Sequence, residues 1–303
     1  MGSFRTSSSS SSSDDSVSSK GIKAGKEITI NSGNITITST DDSIHSNSYI
    51  IINDGTFELS TGDDGIHADN NILINNGTIN ITKSYEGIEA NYIKINDGNI
   101  SVVASDDGIN VSGGDGSEAF GQMGGDSFST VEDDDRQLVI NGGTMYVSAQ
   151  GDGLDANGSI VMNGGKVTVA GTTNNGDGAL DYDEAFNING GTLIVYGATG
   201  MWQNPSTSST QYSICFGTSG SAGDKIVLKD SKGNEIASFT TEKTYGAITI
   251  SSGDLEKGET YTLYVNGEAK SSQELTSIVT SNLTTSGGMN GNMNGGMKGN
   301  NRH

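Results

Sequence analysis

The sequence predicts an all-β protein: a right-handed parallel β-helix of about seven coils, closed by a small C-terminal β cap. Three observations predict it. The phrase Asp63-Asp64-Gly65-Ile66-His67-Ala68 recurs along the chain. Its second position falls at Asp42, Asp64, Glu86, Asp107, Asp152 and Asp177, so the intervals are 22, 22, 21, 45 and 25. Between these phrases, isoleucines alternate with polar residues on both sides of an Asn-x-Gly turn, which marks strands with one buried face. Only 32% of residues are hydrophobic and 45 are Gly, too few apolar groups for an α/β core but enough for a narrow coil.

The chain divides by composition. Residues 1–26 are a Ser-rich linker or tag, and Met1-Gly2-Ser3 reads as an artificial start. An export signal would then lie outside this chain. Residues 27–200 carry the repeat, with a Gly-rich acidic loop inserted at 112–136. The interval of 45 reads as about two periods fused around that loop. Residues 201–285 read as a β cap, with a hairpin around Lys232-Gly233-Asn234 and another strand pair at Asn266-Gly267. Residues 286–303 form a Gly/Asn/Met tail expected to be disordered.

Within the repeat, each coil is too short for a helix plus a strand and fits three short strands. Three apolar columns should then face inward. They are Ile35, Phe57, Ile79, Ile100, Met145, Val167, Leu193; then Ile37, Leu59, Ile81, Val102, Val147, Val169, Val195; and Ile44, Ile66, Ile88, Ile109, Leu154. The Gly of each Asn-x-Gly should need positive φ. Asn31, Asn53, Asn75, Asn96, Asn141, Asn163 and Asn189 should stack as an amide ladder.

Charge narrows the function. Lys+Arg is 16 against Asp+Glu 37, a net charge of −21. That excludes nucleic acid and anionic membranes as partners, both of which need basic patches, and favours cations. No apolar run is long enough for a membrane span. Cys215 is the single cysteine, so no intramolecular disulfide forms. The expectation is an extracellular or surface-attached monomer.

Stacked coils place Asp42, Asp64, Glu86 and Asp107 in one column. His45, His67, Glu89, Asn110, Asp155 and Asp181 form another. Carboxylates roughly 4.8 Å apart repel by about 3–4 kcal/mol per pair at an effective dielectric near 20. A hard cation between coils removes that cost, and calcium accepts many oxygens at variable angles. Three clusters are expected. The first joins Asp63 and Asp64 to Glu86 and Glu89. The second joins Asp106 and Asp107 to Asp152 and Asp155. The third joins Asp152 and Asp155 to Asp177, Asp181 and Asp183. Zinc at His45 and His67 is the alternative ion, without a Cys to support it. The competing explanation for Asp-Gly is simply a good turn.

The Asp-Asp-Gly-Ile-x-Ala phrases, turns such as Ile74-Asn75-Asn76-Gly77-Thr78-Ile79, and the tail Gly291-Asn292-Met293-Asn294-Gly295-Gly296-Met297 carry a resemblance. Together they resemble a clostridial-type family of calcium-binding, carbohydrate-binding β-helix proteins. The acidic phrase is also similar to the calcium motif of pectate-lyase-like β-helices. The resemblance implies calcium and a plant cell-wall polysaccharide, polygalacturonate (pectin) or cellulose, as partners. Tyr85, Tyr92 and Tyr146 are candidate sugar-stacking residues, with Trp202 behind them. Lys83 is the basic residue nearest an acidic cluster and the candidate carbohydrate contact. Its bland reading is a solvated charge beside Glu86. A lyase would need such a base at the sugar C5, and the coils offer few. The expectation is therefore a binder with no catalytic residues, with calcium-assisted β-elimination as the runner-up and a structural stalk as the third reading.

Overall fold

Isoleucine alternation on either side of each Asn-x-Gly turn does produce strands, and each strand pairs with its counterpart in the neighbouring rung. The structure is a computed structural model that describes residues 19–112 and 136–284. The Ser-rich segment before residue 19, the body of the 112–136 insertion and the Gly/Asn/Met tail lie outside the described residues. Among the described residues there is no helix.

Each rung contributes one strand to each of three parallel columns. The first column is β1 (Ile22–Ala24), β4 (Ile44–Ser46), the start of β7 (Ile66–Ile74), the start of β9 (Ile88–Ile95), β11 (Ile109–Val111), β14 (Leu154–Ala156) and β17 (Leu180–Tyr182). The second is β2 (Glu27–Ile30), β5 (Tyr49–Ile52), the ends of β7 and β9, β12 (Gln137–Ile140), β15 (Ser159–Met162) and β18 (Ala185–Ile188). The third is β3 (Asn34–Thr38), β6 (Thr56–Ser60), β8 (Thr78–Ser84), β10 (Asn99–Ala104), β13 (Thr144–Ser148), β16 (Lys166–Ala170) and β19 (Thr192–Gly197). The result is a parallel β-solenoid of about seven turns. Its first rung begins at Ile22, inside the stretch read from sequence as linker, because Ile22 pairs with Ile44.

The inward columns follow the expected register: Ile35 faces Phe57, Phe57 faces Ile79, and the series continues to Val167 and Leu193. They fill one continuous apolar core. Each buried residue of this size contributes roughly 1.5–3 kcal/mol relative to exposure. Ile35 and Ile37, in the first rung, are only partly buried because no described rung stacks beneath them.

The turn between the second and third columns is held by its asparagines. Asn53 Nδ2 donates to Asn31 Oδ1 at 2.8 Å, and the same bond repeats through Asn75, Asn96, Asn141, Asn163 and Asn189. Thr210 Oγ1 closes the ladder on Asn189. The Gly that follows has positive φ in every rung, from 119° to 136° in the first four and from 80° to 91° in the last three. The change coincides with the switch from Asn-x-Gly to Asn-Gly-Gly.

The interval of 45 is one rung, not two. Asn110 pairs directly with Asp155 and Leu138 with Ile93, so the extra residues leave between β11 and β12 without adding a turn.

At the last rung the chain reverses. β23 (Tyr245–Ser252) pairs antiparallel with β19, followed by β20 (Ser213–Gly220) and β26 (Val279–Ser281). A second sheet, β22 (Glu235–Thr240), β21 (Lys225–Lys229), β24 (Thr260–Val265) and β25 (Glu268–Glu274), packs on the outer face of this extension. Leu193 and Val195 therefore face the solenoid core, while Ile194 and Tyr196, alternating with them, face the second sheet. The 201–211 connector runs along β18. Ser206 N–H donates to Phe186 O and Thr210 N–H to Ile188 O, which covers an edge that would otherwise be open.

Two substitutions test this account. Asn96→Ala removes two ladder bonds, worth about 1 kcal/mol each, so chemical denaturation should show a loss of about 2 kcal/mol. A Cβ at Gly108 would lie 2.1 Å from Val147 Cγ1 and 2.6 Å from Gly153 O. Gly108→Ala should cost more than about 2 kcal/mol, and a variant as stable as the parent would show that rung spacing is looser than described.

Candidate functional site

The first strand column begins each time just after the acidic phrase. In β4, Ile44 points into the core, so His45 points the other way; the same alternation places His67, Glu89, Asn110, Asp155 and Asp181 in one outward row. The row is sunk between the flanking turns. His45, His67, Glu89 and Asn110 are all less than one-tenth exposed, and Asp42 and Asp64 beside them are buried as well.

The second-position acids have a structural task. Asp42 Oδ1 accepts the Asp64 N–H at 3.2 Å, Asp64 Oδ1 the Glu86 N–H at 3.3 Å, and Asp107 Oδ1 the Asp152 N–H at 2.7 Å. Asp152 Oδ1 accepts the Gly178 N–H. Each aspartate thus satisfies a backbone donor of the next rung with one oxygen and leaves the other toward the row. Glu86, one methylene longer, instead accepts the Asn110 Nδ2–H at 2.9 Å. The glycine after the acid is explained by packing rather than by a turn: a Cβ at Gly65 would stand 2.5 Å from Gly87 O.

Two of the expected clusters change. Asp63 lies with Asp41 and Asp42, one rung back, rather than with Glu86 and Glu89. Asp177 is not the counterpart of Asp152. Leu154 pairs with Leu180 and Asp155 with Asp181, which puts Gly178 opposite Asp152. Asp177 sits one residue earlier and accepts from Asn174 Nδ2 at 2.9 Å. Asp181 accepts from Gln203 Nε2, while Asp183 is exposed. The second cluster is joined through its fields: Asp107 feels Asp152, Asp106 and Asp177, and Asp155 feels Asp107, Asp152, Asp181 and Asp183. Among the described residues, the groups whose donor atoms lie within 4.8 Å of one another are Asp42-His45-His67, Asp64-His67-Glu89 and Asp41-Asp42-Asp63.

Charge divides the row into two parts. In the first rungs cations are built in. Lys20 binds Asp41 at 2.9 Å and also Asp42, a contact the sequence did not suggest because Lys20 lies in the apparent linker. Burial opposes ionisation of Asp42, but bonds from His45 and Lys20 hold its carboxyl down to about 2. Burial also opposes charge on His67, yet its bond with Asp64 and the nearness of Glu89 and Asp42 carry it up to about 9. Further along, among the described residues, no ion pair with Lys or Arg meets the acids of the row. Burial first, then neighbouring carboxylates, push Glu86 up to about 9, Asp107 and Asp155 to about 7, and Asp152 to about 6. Asn110 Oδ1, buried in this stretch, has no hydrogen-bond partner among the described residues. An all-oxygen set with an orphaned carbonyl fits a hard cation.

The sugar-stacking candidates separate. Tyr85 is about half exposed at the edge of the acidic row, with its hydroxyl bonded to Asp106. Tyr92 lies on the outward face of the second column. There it lines an open depression of about 370 Å³ with Tyr49, Leu73 and Lys94. Tyr49, which the sequence reading passed over, is exposed. Tyr146 is no platform: its hydroxyl donates to Glu242 at 2.6 Å and its ring packs against the C-terminal sheets. Lys83 is exposed, and among the described residues no ion pair joins it to Glu86.

The sign of the pH dependence follows. Acids whose folded values are raised hold protons more tightly when folded, so stability falls as pH rises from the ordinary carboxylate range through about 6 to 9. His67 acts in the same direction, since its contribution is complete below its ordinary value and lost as pH passes about 9. Asp42 opposes this only in acid, its contribution fading as pH falls toward about 2. Chelator-treated protein should therefore melt at higher temperature at pH 5 than at pH 8. A melting temperature flat or rising over that interval would refute the uncompensated acidic row.

Comparison with protein families places residues 2–65 and 63–261 in one described as carbohydrate-binding domain-containing protein. No curated protein and no solved structure matches. The matched residues take in every rung of the solenoid and most of the C-terminal sheets. The chain belongs to this family of carbohydrate-binding domain-containing proteins.

Proposed function

We propose that the protein binds an acidic cell-wall polysaccharide, of the polygalacturonate (pectin) class, through calcium held on the acidic row. The observation that carries this reading is the set of Glu86, Asp107 and Asp155, which no cation among the described residues pairs with, and the orphaned Asn110 Oδ1 among them. Glu86, Glu89, Asn110, Asp107 and Asp155 supply oxygen only, the donor type calcium takes. A chain of charge −21 repels a polyuronate, so a divalent ion that accepts carboxylates from both sides resolves the conflict. Membership of a carbohydrate-binding family agrees with a sugar ligand. The setting would be the cell surface or outside the cell.

We place no catalysis here. β-Elimination needs a base over the sugar ring. Lys83 points to solvent from β8, and Lys20 is already engaged by Asp41 and Asp42. A second reading is favoured by one feature. Tyr49 and Tyr92 stand two rungs apart along the open depression of the second column, roughly 10 Å along the axis, beside Asn71, Lys94 and Asn96. Such a face suits the flat rings of a neutral glycan such as cellulose, without calcium.

Pull-down on polygalacturonate and on cellulose, each with calcium and with chelator, separates these. Polygalacturonate retention should need calcium and fall at least about tenfold in Glu86→Gln/Glu89→Gln, as expected when ligands of a cation are removed. Retention that persists in chelator would sink the bridge. Cellulose retention lost in Tyr49→Ala/Tyr92→Ala and indifferent to calcium would establish the second reading. An ultraviolet-absorbing unsaturated product would revive the lyase.

A further inference from the structure

The first two rungs of the acidic row differ from the rest in donor chemistry. His45 and His67 are direct register partners on β4 and β7, and their ring centroids are 4.8 Å apart at 79°. Both Nδ1 atoms face one oxygen: Asp42 Oδ2 lies 2.7 Å from His45 Nδ1 and 3.7 Å from His67 Nδ1. Asp64 Oδ2 approaches His67 Nδ1 at 3.2 Å, and Glu89 Oε2 at 3.6 Å. Asp42 is fully buried, and the two rings nearly so. The outward position is Lys23 in the rung before and Glu89, Asn110, Asp155 or Asp181 in the later ones, so among the described residues imidazole donors are confined to this one pair.

We propose that Asp42, His45 and His67 form a second metal site, selective for a borderline transition ion such as Zn2+, Co2+ or Ni2+ over calcium. Two imidazoles and a carboxylate are the donors such ions prefer, while calcium takes oxygen. The three donor atoms already lie within 4.8 Å of one another, so no rung has to move. The competitors are the protein's own cations. Lys20 shares Asp42 with His45, His67 Nδ1 is shared among Asp42, Asp64 and Glu89, and His67 Nε2 faces Asp69 at 3.8 Å. A bound metal takes the Nδ1 lone pairs, releases the imidazole proton to solvent, and leaves Lys20 on Asp41. Asp64 is the nearest further oxygen to complete the coordination. The repeat thus offers two ion classes at two heights of one column: oxygen-only in the middle rungs, mixed nitrogen and oxygen at the N-terminal end.

Cobalt(II) titration of the chelator-stripped full-length chain tests this. Visible absorption reports nitrogen ligation, and competition with calcium reports selectivity. One Co2+ per chain should bind and survive a hundredfold excess of calcium. His45→Gln/His67→Gln should weaken it by about 100-fold or more. Glu86→Gln should leave Co2+ uptake unchanged while impairing calcium-dependent retention on polygalacturonate, so the two proposals fail separately. His303 lies in the tail, and His303→Gln should have no effect. Uptake that follows His303, that is displaced by equimolar calcium, or that is indifferent to the double substitution overturns the site. Thermal melting of the variants guards against misfolding: the double variant must retain the parental transition in calcium, and if it does not, His67→Asn with His45 intact replaces it under the same criterion.

Discussion

In-register parallel pairing is the constraint from which the other features follow. Each rung hydrogen-bonds to the next, so every residue sits roughly 4.8 Å from its counterpart one period away. The consequence depends on the side chain. Stacked isoleucines exclude water and make the core. Stacked asparagines donate and accept in the same direction, so the amide ladder satisfies itself along its whole length. Stacked carboxylates have no such complementarity, and the same geometry that rewards the first two penalises them.

The acidic row is therefore the place where the repeat works against the fold. The chain answers in two ways. One oxygen of Asp42, Asp64, Asp107 and Asp152 is used to satisfy the next rung's backbone, which turns part of the repulsion into a structural bond. The remaining oxygens are balanced by Lys20 and His67 in the first rungs, and by held protons in the middle ones. Held protons are exchangeable for a cation, whereas a lysine on its own tether is not. That difference is why the proposed ion-dependent binding is placed at the middle of the row rather than at its N-terminal end.

The C-terminal sheets show how a solenoid can end. β19 is buried on both faces, Leu193 and Val195 inward and Ile194 and Tyr196 outward. Lys243, from the loop before β23, donates to the carbonyls of Ala149, Ala170 and Gly171, which ties the second unit to two rung ends. Burial draws its ammonium down to about 8, as expected of a lysine held among carbonyls with a single carboxylate near it. Tyr146 belongs to the same junction.

The amino-acid sequence determined everything that depends on a residue and its equivalent one period away. The three apolar columns, the amide ladder and the seven positive-φ glycines were all legible, because a repeat of fixed length encodes its own nearest neighbours. Features that depend on unequal loops or on distant segments were decided by tertiary structure. The 45-residue interval, read from sequence as about two periods fused, is a single rung because Asn110 pairs with Asp155. Asp177 fell out of the column because the final offset is 26 residues rather than 25, and one residue moves a side chain off its row. Lys20 sits one 22-residue period before Asp42, in a rung that the adjoining Ser-rich stretch disguised, while Tyr146 meets Glu242 through folding of a segment that carries no period. Periodicity fixes contacts between like positions; contacts between unlike positions exist only once the coil has closed and its ends have been covered.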